Sequence, residues 1–134
     1  MINWNNLDTL ASFKELKDTK AVDLVSAMSG ESGADRVKSF NIPMAEGLNY
    51  NYAAKQVDSD VLDKLVKLAD EAQLADKFAA LYNGEVVNTG EKRLVLHHMT
   101  RGQLGEAVEA DGVDKRTFYK TQQERIAEFA NKVH

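Results

Sequence analysis

A chain of 134 residues that is 43% hydrophobic can close one modest core, and its formal charge of −4, with a pI near 5.4, argues against a dedicated nucleic-acid surface. With no cysteine it has no disulfide framework, thiolate metal site or cysteine nucleophile. The apolar runs fall far short of the roughly 20 residues that span a bilayer, and "MINWNNLDTL" lacks the basic start and apolar stretch of a signal peptide. The expectation is a single mainly α domain over residues 1–134, cytoplasmic, with no nucleic-acid and no membrane partner.

In chain order, Leu7, Leu10, Phe13 and Leu16 recur at steps of three, as do Val22, Val25 and Met28. These predict two short helices, the first anchored by Trp4, and a turn at "SGESG" after the second. Over residues 38–52 the period changes to two. Phe40, Ile42 and Met44, then Leu48, Tyr50 and Tyr52, alternate about a glycine, which predicts a small β-hairpin with Pro43 on an exposed edge. Asp58-Ser59-Asp60 offers caps for a helix with Leu62, Leu65, Val66, Ala69 and Ala72 on one face. A second helix with Leu74, Phe78, Leu81 and Tyr82 stops at Asn83-Gly84, making an antiparallel hairpin or a kinked helix. "GQLGEAVEADGVD" reads as a loop with at most a helical turn. Asp114 to Val133 reads as a long helix with a buried stripe of Phe118, Ile126, Phe129, Ala130 and Val133.

The chemistry-bearing stretch is "NGEVVNTGEKRLVLHHMTRG", residues 83–102. Asn88 and Glu91 have the spacing of a capping box, so a helix is expected from there to Gly102, with Leu94, Val95, Leu96 and Met99 inward. On such a helix Arg93, His97, Thr100 and Arg101 share one polar face. Arginine's fork suits phosphate or carboxylate, but the simpler reading is that these residues dock the helix onto neighbouring carboxylates and carbonyls. Adjacent helical residues diverge by about 100°, so His97 and His98 do not readily share a metal ion, and His134 is terminal and solvated. The pairs Asp58/Asp60 and Asp70/Glu71 fall where capping and solvation explain them. "SGESG" carries no lysine and follows no strand, so it is not a phosphate loop. Tyr50, Tyr52, Tyr82 and Tyr119 sit among apolar positions, which favours packing over base stacking.

The same stretch resembles the glucose-6-phosphate isomerase segment that reads G-E-K-I-N, then T-E-x-R-A-V-L-H, then A-L-R. Gly84, Glu85, Asn88, Thr89, Glu91, Arg93, Val95, Leu96, His97 and Arg101 stand at matching positions if Gly90 is one inserted residue. Upstream, "NYAAKQVDSDVLDKLVKLADEAQL" is similar to the family's D-Y-S-K-N-x-[IV]-T segment and the helix after it. Tyr52, Val57, Leu62, Leu65, Leu68 and Ala69 agree, whereas Asn51, Ala53, Ala54 and Asp58 depart. The resemblance is best over residues 36–101 and points to divergent bacterial members, in which the "HH-TRGQ-G" form occurs.

The resemblance implies a helical N-terminal region of a longer, homodimeric enzyme that interconverts glucose 6-phosphate and fructose 6-phosphate. There a glutamate moves a proton between C1 and C2 through a cis-enediol(ate), histidine and lysine assist ring opening, and serine- and threonine-rich loops hold the phosphate. In the family those groups lie downstream, on two α/β sugar-isomerase subdomains against which this region packs. The expectation is thus a fragment without catalytic, substrate-binding or metal residues, needing no cofactor and inactive alone, with the Arg93/His97/Arg101 face supporting the downstream subdomains. The alternatives are a stand-alone helical module whose Arg93/His97/Arg101 face meets an acidic partner, and, last, a small enzyme using His97 or His98 as base.

Overall fold

The computed structural model describes residues 1–102 and 105–134, and its contacts fall into two compact units: residues 5–72, and residues 1–4 with 73–134. It is mainly α, as expected from the hydrophobic periods, with three small two-stranded antiparallel sheets among the described residues where the sequence predicts one hairpin. Among the described residues no helix is long and apolar enough to cross a membrane.

In the first unit, helices α1 (Ala11–Lys17) and α2 (Leu24–Ala27) correspond to the two short helices expected. "SGESG" is not a turn: it opens a third helix, α3 (Gly30–Ser39). The two glycines that suggest a break have other tasks. Gly30 takes a positive φ of 61° where the chain swings out of α2, and Gly33 lies so close to the Met28 backbone that a Cβ would collide with the Met28 carbonyl. The hairpin follows as β1 (Asn41–Pro43) and β2 (Asn49–Asn51), with Ile42 opposite Tyr50. Both strands are exposed, so Pro43 costs no ladder bond that a longer sheet would need. Asp58 caps α4 (Ser59–Glu71) by accepting from the Val61 amide at 2.9 Å. The α4 face is only half covered: Leu62, Leu68 and Ala69 are half-buried while Leu65 and Val66 are exposed.

In the second unit, α5 (Leu74–Tyr82) begins after Gln73, whose left-handed φ of 53° divides it from the end of α4. It ends at Asn83-Gly84 as the sequence predicts, with Gly84 at φ 74°. From there the expectation fails. Residues 86–94 form a hairpin, β3 (Val86–Asn88) with β4 (Arg93–Leu94), followed by a 3₁₀ turn at His97–Thr100 in place of the expected helix. The β-branched pair Val86-Val87 and the glycine at 90 favour a turned strand pair over a helix. A second small hairpin, β5 (Glu109–Ala110) and β6 (Val113–Asp114), turns at Asp111-Gly112, with φ 55° and 72°. That Asp-Gly pair is a hairpin signal within the segment expected to be a loop. Gln103 and Leu104 of that segment lie outside the described residues. Asp114 caps α6 (Lys115–Val133) through the Arg116 and Thr117 amides. The α6 stripe is not buried: Phe118, Ile126, Phe129 and Val133 are 46–69% exposed.

Candidate functional site

Without the helix, Arg93, His97, Thr100 and Arg101 no longer fall on one face, and all four are exposed. Arg93 lies beside Glu91 at 3.8 Å, and Thr100 Oγ1 donates to the His97 carbonyl at 2.8 Å. The Asn88–Glu91 pair does form, because its geometry suits a turn as well as a helix start. Asn88 Oδ1 accepts from the Glu91 amide at 3.1 Å, closing the β3–β4 turn. The apolar half of the pattern survives as well. Leu94, Val95 and Leu96 are half-buried and Met99 is fully buried.

His98, not His97, is the histidine with a defined seat. Its ring stacks on Tyr82 at 4.8 Å, and its Nε2 lies 3.1 Å from the Tyr82 carbonyl. A carbonyl only accepts, so Nε2 carries the proton. The same carbonyl accepts from Arg116 Nη2 at 3.0 Å, and Arg116 Nε donates to the Glu106 carbonyl at 2.5 Å. Arg116 is 6% exposed, with its guanidinium 5.4 Å from the Tyr82 ring centre. A cation is tolerated there because its fork meets carbonyls of two otherwise unrelated segments. Nothing in the sequence signals this seat beyond the position of Arg116 in the first turn of α6.

A second buried polar group, Ser12, stands in the unit of residues 5–72. Its partner is Glu71, at the end of α4, which accepts from the Ala11 amide at 3.2 Å, the Ser12 amide at 2.8 Å and the Ser12 hydroxyl. Glu71 supplies from a distant helix the N-terminal cap that α1 lacks locally, since Leu10 offers none. The Ser12 hydroxyl, before all else, and then the amides hold the Glu71 carboxyl below its ordinary range. Lys67 to Glu15 at 2.7 Å and Lys64 to Thr19 at 2.9 Å continue the seam between α1 and α4. Arg36 does for the 53–57 loop what Arg116 does in the other unit. It donates to the carbonyls of Ala53 at 2.8 Å, Lys55 at 3.0 Å and Val57 at 2.6 Å, with its guanidinium 4.1 Å over Phe40.

Two concavities lie in that first unit. An open cleft of about 490 Å³ has Asp18, Asp23, Asp58 and Asp60 on its walls with Lys20 and Lys64. Three of its carboxylates are engaged in capping and pairing: Asp23 with the Val25 and Ser26 amides, Asp58 with Val61, Asp60 with Lys64. A shallow apolar groove of about 190 Å³ runs between the hairpin and α4, lined by Ile42, Tyr50, Tyr52, Val57, Leu62 and Leu65. Among the described residues no group of three or more His, Asp or Glu side chains is placed to hold a metal ion.

The polar side chains that the fold gathers therefore cap helices and tie loops. The family described as phosphoglucose isomerase matches residues 51–134, more than half of the chain. The chain is 41% identical, over 99% of its length, to a glucose-6-phosphate isomerase of Treponema denticola, of which the match covers 26%. It is 39% identical over 99% of its length to that of Treponema pallidum strain Nichols, covering 26%, and 39% over 100% to that of Borrelia garinii subsp. bavariensis, covering 25%. The chain belongs to the phosphoglucose isomerase family. It spans about a quarter of the length of the curated relatives it matches.

Proposed function

We propose that residues 1–134 are the mainly helical N-terminal part of a cytoplasmic, homodimeric enzyme that interconverts glucose 6-phosphate and fructose 6-phosphate. In this reading the segment acts as a single supporting domain. It contributes no catalytic, phosphate-binding or metal residue, and its partners are the sugar-isomerase subdomains of the same parent chain. The observation that carries the reading is near-40% identity along the whole chain to enzymes about four times as long. The exposed apolar stripe of α6 and the apolar groove beside the hairpin support it as surfaces for those subdomains.

The test is a coupled assay on the purified 134-residue chain, prepared from a host lacking its own isomerase. No turnover of either sugar phosphate is expected, because moving the proton and holding the phosphate need groups that this reading places elsewhere. Turnover by the segment alone would overturn it. In a full-length parent, Arg93→Ala and His97→Ala should leave kcat within a few fold, since a contact made equally in ground and transition states does not raise the barrier selectively. A loss of several hundredfold in kcat with unchanged melting would put these residues in the active site.

A further inference from the structure

We propose that Asn83 is a deamidation site that the folded end of α5 holds shut, so that its conversion records opening of the Tyr82 carbonyl clamp. The chemistry requires only the chain and water. The Gly84 amide nitrogen attacks the side-chain carbonyl carbon of Asn83, ammonia leaves, and a succinimide ring forms. Water then opens the ring at either carbonyl to give aspartate or isoaspartate, with no change of oxidation state. Glycine as the following residue makes this route open, since no side chain shields the attacking nitrogen, and Asn83 itself is exposed.

The backbone stands in the way. Asn83 sits at φ −82° and ψ 2°, and attack requires a large rotation about ψ to carry the Gly84 nitrogen over the side chain. Here the Gly84 amide donates to the Leu81 carbonyl at 3.2 Å, and the Glu85 amide to the Ala80 carbonyl at 2.9 Å. Gly84 packs directly against the Val108 side chain, and the peptide just before Asn83 is pinned by His98 Nε2 and Arg116 Nη2 on the Tyr82 carbonyl. Rotation therefore breaks the helix cap and strains the clamp together, which makes reaction conditional on local unfolding. Once made, the change is one-way: a carboxylate at the C-terminus of α5 opposes the helix dipole and weakens the closed state.

The experiment follows Asn83 by peptide mass mapping of the 134-residue chain at mildly alkaline pH, natively and in denaturant, with Asn88 as an internal comparison. Conversion at Asn83 is expected to be at least about tenfold faster in the denatured chain than in the native one. His98→Phe, which keeps the ring stack and removes the Nε2 bond, should move the native rate toward the denatured one. Equal native and denatured rates would overturn the gating. An Asn83 that survives denaturation no less than Asn88 would overturn the site itself, whether or not the His98 variant folds.

Discussion

Met99 shows how a single side chain can keep its place when the secondary structure around it differs from expectation. It is fully buried although the helix expected there is a 3₁₀ turn, because its apolar surface needs the interior whichever backbone delivers it. Met99→Ala should cost about 3 kcal/mol in chemical denaturation, as such cavities usually do; a loss under about 1 kcal/mol would mean the site collapses freely. Three carboxylates make a separate prediction. Glu71, Asp23 and Asp114 are held below their ordinary ranges, first of all by the hydroxyls of Ser12, Ser26 and Thr117 respectively. A carboxylate with a depressed folded pKa stabilises the fold above its unfolded pKa, and that contribution is lost as pH falls through the folded one. The melting temperature should thus be level near neutrality and drop below about pH 4. Glu71→Gln should lower the neutral melting temperature and shrink the acid drop, both read from circular dichroism melts; an unchanged acid profile would show that the α1 cap carries no weight.

Among the elements, Gly33 separates a glycine that breaks a helix from one that fits it. An exposed mid-helix Gly→Ala change usually stabilises by up to about 1 kcal/mol. Gly33→Ala should do the reverse, because its Cβ would meet the Met28 carbonyl, a backbone atom that cannot swing aside. Denaturation midpoints decide the sign. Asn88 carries the opposite lesson: it closes an exposed turn rather than capping a helix, so Asn88→Ala should cost less than the ~1 kcal/mol of a lost N-cap. Helices α4, α5 and α6 and the β1–β2 hairpin are legible in the sequence because long apolar periods, aspartate caps and a terminal Asn-Gly all agree. Helix α3 and the β3–β4 hairpin are not. In each, a local signal, two glycines or a capping-box spacing, has two structural uses, and tertiary packing chooses between them. The polar knots at Arg36, Glu71 and Arg116 are invisible for the same reason, since their partners lie 10 to 60 residues away in sequence.

For the whole molecule, α6 is where the sequence pattern and the covered surface part company. Its first half is tied down by Arg116 and by Gln123, whose side chain donates to the Thr100 carbonyl at 2.7 Å. Its second half presents Ile126, Phe129 and Val133 at 67–69% exposure, at the i, i+3, i+7 spacing by which a helix packs on a core. The periodicity identifies a packing stripe but says nothing of which surface it packs on. If, as proposed, residues 1–134 belong to a longer enzyme whose remaining chain covers that stripe, the pair Ile126→Ala and Phe129→Ala, which preserves helix propensity, should behave differently in two settings. In the 134-residue chain the pair should change stability by less than about 0.5 kcal/mol, since neither side chain is buried. It should also reduce any concentration-dependent association seen by sedimentation. In a full-length parent the same pair should cost about 2 kcal/mol or more, because both side chains would then leave cavities. A loss of about 2 kcal/mol already in the 134-residue chain would mean that the stripe is covered within residues 1–134, and a negligible loss in both settings would mean that no further chain packs on it.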